Sequence, residues 1–71
     1  MADIKFLTYG ETRRGMKVNI YDYQGNFVTK GEIVDRFESF GFGNAIAMGE
    51  DGREHNIYWD EKSKQVEKIE D

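Results

Sequence analysis

Met16-Lys17-Val18-Asn19-Ile20-Tyr21-Asp22 alternates apolar and polar side chains. Val, Ile and Tyr suit the pleated, half-buried surface of a sheet, so the stretch predicts a β-strand with Met16, Val18 and Ile20 on one face. Tyr21 then falls on the opposite face. Gln24-Gly25-Asn26 predicts a turn, because Gly supplies a positive φ and Asn tolerates one. Residues 27–36 return as a second strand centred on Ile33 and Val34, with Gly31 marking a bulge or a close backbone approach.

Residues 37–43, Phe-Glu-Ser-Phe-Gly-Phe-Gly, fit neither a helical nor a strand period and read as a loop into a third strand at 44–48. Asp51-Gly52, set before the alternating Arg53-Glu54-His55-Asn56-Ile57-Tyr58-Trp59, is the strongest hairpin signal in the chain. It places His55, Ile57 and Trp59 on one face and Asn56 and Tyr58 on the other. A polar turn at 60–63 precedes a last strand at about 65–70, where the spacing of Val66 and Ile69 predicts a bulge or a single turn. Upstream, residues 4–9 are a candidate extra edge strand and 10–14 a loop. Five to six short strands with turn signals between them predict a single all-β domain over residues 1–71, a small barrel or sandwich. Its expected core is Met16, Val18, Ile20, Ile33, Ile46, Met48, Ile57, Trp59, Val66 and Ile69.

Composition narrows the chemistry. A chain of 71 residues is one small domain, and it buries only about 60% of its unfolded surface, so it depends on dense packing. There is no Cys, which excludes disulfides, Cys-type zinc sites and thiol catalysis, and predicts a reducing, cytoplasmic setting. Residues 1–9 lack the apolar run of ~7–15 residues that a signal peptide needs. No stretch approaches the ~20 apolar residues of a membrane span. The 14 acids against 10 bases give a net charge of −4.

The run Gly15 to Asp22, then Gly25, then Gly31-Glu32-Ile33-Val34, resembles the opening of many SH3-like barrels. Asp51-Gly52-Arg53-Glu54-His55 with Ile57, and the closing Val66 and Ile69, resemble the distal hairpin and last strand of the same architecture. The resemblance covers roughly residues 15–70 and implies a five- to six-stranded SH3-like barrel. At whole-chain level, the length and the strings GMKVNIYDYQGNF and EDGREHNIYWDEKSKQVEKIED look like the small prophage-encoded YorP family. That likeness implies a β-rich protein of bacterial or phage origin and brings neither an activity nor catalytic residues.

The residues themselves point away from catalysis. A nucleophile needs a base held close and oriented by a third group. The only His, His55, lies in the register of Ile57 and Trp59 and reads as structural. The acids of Glu50-Asp51-Gly52-Arg53-Glu54 lack the spacing of a calcium loop, so no metal is expected. Gly41-Phe42-Gly43 has Ile46 where a dinucleotide fingerprint needs its third Gly, so no cofactor is expected. No small-molecule substrate is evident either.

Three partner classes stay open. If the aliphatic faces are core, Tyr21, Tyr23 and Tyr58 point outward, where with Phe40 and Phe42 they would form an amphipathic surface for a protein partner. A nucleic-acid-binding barrel would instead use Arg13, Arg14 and Lys17, the one local basic cluster, with the same tyrosines. An acidic decoy would offer Asp60, Glu61, Glu67, Glu70 and Asp71 to a basic protein. The first reading, a non-enzymatic binding module, leads.

Overall fold

A computed structural model describes residues 4–40, 42–59 and 67–71. Five strands, β1 (Lys17–Asp22), β2 (Phe27–Ser39), β3 (Phe42–Gly49), β4 (Glu54–Trp59) and β5 (Glu67–Glu70), follow a single 3-10 turn at Tyr9–Glu11. All the paired strands run antiparallel, in one sheet of order β4-β3-β2-β1-β5. The sheet curls until β4 lies beside β5, but among the described residues no ladder joins those two and the sheet is not closed. The fold is therefore all-β, with five strands among the described residues.

The alternation in β1 does what the sequence predicts. Val18 and Ile20 are buried, and they meet Ile33 of β2, Ile57 of β4 and Ile69 of β5 in one core. Leu7, Met16 and Trp59 pack against its rim. The first turn is held by Asp22, whose carboxylate accepts the N–H groups of Gln24 and Asn26 at 2.9 Å each. Gly25 there has φ +87°, a conformation that costs an L side chain strain.

Three expectations change. Residues 4–9 are not a strand: Leu7 N–H donates to the Ile69 carbonyl at 2.8 Å, and the chain then tightens into the 3-10 turn. Glu11 fixes that turn by accepting from both the N–H and the hydroxyl of Thr8 at 3.0 Å. Residues 37–39 and 42–43 are strand, not loop. The second strand runs on to Ser39, which pairs directly with Phe42, so a tight hairpin replaces the expected connection. The reason is a bulge between Ile33 and Asp35, which lets the long strand bend and keep pairing.

The third change concerns the core. Ala45 and Ala47 are fully buried, whereas Ile46 is only partly covered and Met48 is exposed. The inward positions of β3 are Gly43, Ala45, Ala47 and Gly49, all small, because the curled sheet brings other groups hard against this strand. A Cβ on Gly43 would stand 2.3 Å from Tyr9 Cγ, and one on Gly49 2.3 Å from Asp51 Oδ1. Of the remaining core expectations, Val66 lies outside the described residues, as do the turn at 60–63 and the start of the last strand.

Candidate functional site

Residues that face each other across a ladder share a side of the sheet, so the register assigns every outward side chain. Across β2, β3 and β4 the outward rows are Phe37–Asn44–Tyr58, Asp35–Ile46–Asn56 and Glu32–Met48–Glu54. Phe42 stands at the head of β3, opposite Ser39. Phe37 is 50% exposed, Phe42 44%, Met48 44% and Tyr58 53%. Val34, the extra residue at the bulge, is also exposed and lines a shallow groove with Met48, Glu32, Glu50 and Lys17.

At the tip of the β2–β3 hairpin, Phe40 is 97% exposed and sits at φ +51°. Left-handed backbone at a bulky residue costs on the order of 1 kcal/mol, and Gly or Asn would relieve it. No packing of the Phe40 ring offsets that cost.

The expected five-residue aromatic surface is thus divided. Phe40, Phe42 and Tyr58 belong to the β2–β3–β4 side. Tyr21 and Tyr23 lie at the other end of the 13-residue β2, where the first hairpin turns. Tyr23 is exposed, but Tyr21 is half-buried. Its ring meets Phe6 and Phe27 edge-on, at centroid distances of 5.3 and 5.8 Å, and its hydroxyl donates to Glu70 at 2.5 Å. That hydrogen bond raises the phenol pKa. Tyr21 therefore ties β1 to β5 and the N-terminal segment. Phe37, Ile46 and Met48 are the members of the outer face that the sequence reading does not contain. The signal for them is the alternation of size in Gly43-Ala45-Ala47-Gly49 against Phe42-Asn44-Ile46-Met48.

The basic cluster is weaker than its sequence suggests. Arg13 and Arg14 are exposed in the turn before β1, but Lys17 is held by Glu32 at 2.6 Å. Arg36 points inward. Its guanidinium lies 4.4 Å over the Tyr9 ring and donates to the Thr12 hydroxyl at 2.9 Å and the Tyr9 carbonyl at 3.1 Å. Of the acids proposed for a decoy, Glu67 and Glu70 are partly buried and bonded within the fold, Asp71 is exposed, and Asp60 and Glu61 lie outside the described residues.

His55 is 6% exposed and bridges the open seam. Nδ1 lies 3.0 Å from Glu67 Oε1 on β5, and Nε2 lies 3.0 Å from Asp51 Oδ2 in the β3–β4 turn. Burial by itself would lower the imidazole pKa, but the two carboxylates outweigh it and raise the pKa above its ordinary value. Only an imidazolium can donate from both ring nitrogens, which this geometry asks of it. Asp51 is in turn held below the ordinary carboxylate range, first by the Arg53 N–H and then by His55. The two carboxylates sit on opposite ring nitrogens, so they cannot converge on one ion with the imidazole. Among the described residues no group of three or more metal-ligating side chains forms, and no helix is long and apolar enough to cross a membrane.

Compared with known proteins, the chain matches no family model, no curated protein and no solved structure.

Proposed function

We propose that this chain is a non-enzymatic binding module that contacts a protein partner through the outward face of β2, β3 and β4. The observation that carries the reading is that Phe37, Phe42, Met48 and Tyr58, each roughly half exposed, share one side of a very small sheet. Exposed apolar side chains gathered on one face cost solubility and earn their place when they are covered. Phe40 adds to it: a ring presented to water from a strained backbone is poorly explained by folding alone. In architecture the chain is read as an SH3-like barrel, because its fifth strand returns to the first and approaches the fourth, one ladder short of closure. The sequence likeness to the YorP family adds a cytoplasmic, prophage-type setting to this reading.

The test uses a variant that stabilises the fold while removing the contact. Phe40→Asn is expected to raise stability by about 1 kcal/mol, because Asn accepts left-handed backbone. It should nevertheless lose a specific protein retained by the wild type from bacterial lysate, as should Phe37→Ser/Tyr58→Ser. Tyr23→Ala, at the other end of β2, should retain it. Retention should weaken only modestly between 50 and 200 mM salt, by far less than the steep loss that phosphate contacts give. Identical capture by all these proteins defeats the proposal, and capture of nucleic acid lost steeply with salt selects the basic-cluster alternative.

A further inference from the structure

We infer that the partner segment is cationic, with aliphatic anchors between its Lys or Arg side chains; this deepens the binding role proposed above and rests on it. The apolar centre of the outer face is bordered by carboxylates. Glu32 and Glu54 flank Met48 in one row, and Asp35 stands beside Ile46 in the next. The other polar groups between these rows and the hairpin tip are Asn44, Asn56 and Ser39, and no outward Lys or Arg falls among the described residues of that area. The neighbouring cations lie at the edge of this area: Lys17 on β1, which is engaged by Glu32, and Lys30, exposed one outward position before Glu32 on β2. The groove at Val34 and Met48 is lined by Glu32 and Glu50 and by Lys17, whose ammonium is paired with Glu32, so an aliphatic side chain seated there meets two carboxylates against one cation.

This pattern selects among occupants. A second copy in a two-fold arrangement would set the same carboxylates against each other, in a chain already carrying −4. Nucleic acid and anionic lipid meet the same repulsion. A strand or loop that alternates aliphatic and cationic side chains meets anchors with apolar surface and cations with carboxylates.

Three fluorescein-labelled seven-residue peptides test this with the full chain: one alternating Leu and Lys, one alternating Leu and Glu, one alternating Ser and Lys. Affinity is read by anisotropy and location by amide chemical shifts. The Leu/Lys peptide should bind, shift Ile46, Met48 and Tyr58, and bind about tenfold more weakly to the Glu50→Lys/Glu54→Lys variant. Both positions are exposed, and the variant's fold is verified by its unperturbed core shifts. Equal binding of the Leu/Glu peptide at the same residues overturns the cationic class but leaves the aromatic face standing. Equal binding of the Ser/Lys peptide overturns the anchors. A concentration-dependent dimer with those same shifts makes a second copy the occupant and overturns the inference. If no peptide shifts the outer face, this inference and the proposed function fall together.

Discussion

Gly43→Ala is expected to destabilise the protein by about 2–3 kcal/mol. For a chain of 71 residues the whole stability is roughly 4–10 kcal/mol, so this single methyl removes a large share of it. The added Cβ would stand 2.3 Å from Tyr9 Cγ and 2.6 Å from two further Tyr9 atoms. The ring cannot simply swing away, because Arg36 lies over it and Trp59 packs against it edge-on at 5.8 Å. Moving Tyr9 would also disturb the carbonyl that accepts from Thr12 and Arg36 and, through Trp59, the indole N–H that donates to the Leu7 carbonyl at 3.0 Å. With a urea slope of about 1 kcal/mol/M, the midpoint should fall by about 2 M. In a Tyr9→Ala background the same substitution should cost far less, since the clash has gone. Equal costs in the two backgrounds would show that Tyr9 is not what requires glycine at position 43.

His55 makes stability depend on pH in a defined direction. Its pKa is raised in the folded chain, so its contribution is complete below the ordinary value of 6.5 and is lost as pH climbs through the raised value. Asp51 has a lowered pKa, so its contribution is complete above 3.8 and is lost as pH falls through the lowered value. The seam between β4 and β5 is therefore firmest between about pH 4 and 6.5. The chain has one His and no Cys. The urea midpoint should accordingly be higher at pH 5.5 than at 8.5. His55→Gln should cost about 1.5–3 kcal/mol at pH 5.5, the scale of a hydrogen bond to a charged group, and should flatten the difference between the two pH values. A wild-type midpoint higher at pH 8.5 would mean that the carboxylates do not hold an imidazolium.

Most of the framework was legible because its signals are local. The alternation in β1, the Asp22 to Asn26 turn and the placement of His55, Ile57 and Trp59 on one face each follow from side chains within a few residues of one another. The face of β3 was not legible, and one loop residue accounts for it. A two-residue Asp51-Gly52 turn would pair Glu50 with Arg53, and hence Met48 with His55 and Ile46 with Ile57, turning both large side chains inward. The observed turn has three residues: Gly49 N–H donates to the Arg53 carbonyl at 2.8 Å, Met48 pairs with Glu54 and Ala47 with His55. One residue of register moves the whole strand's apolar set to the other side. The alternation puts Tyr21 on the outer face but carries no sign of its cover, since Phe6 and Glu70 reach it from distant parts of the chain. The long β2 was hidden by its bulge, which breaks the period of two where the strand in fact continues.

The proposed contact face exists only if β4 turns Tyr58 outward and His55 inward, with β3 following in register. Photochemically induced nuclear polarisation reports this directly, because the dye reaches only accessible Tyr, His and Trp rings. Tyr23 and Tyr58 should give strong signals, Tyr21 a weak one and His55 none. A silent Tyr58 beside a strongly polarised His55 would put the opposite face of these strands in water, and the assigned interaction surface would be the core.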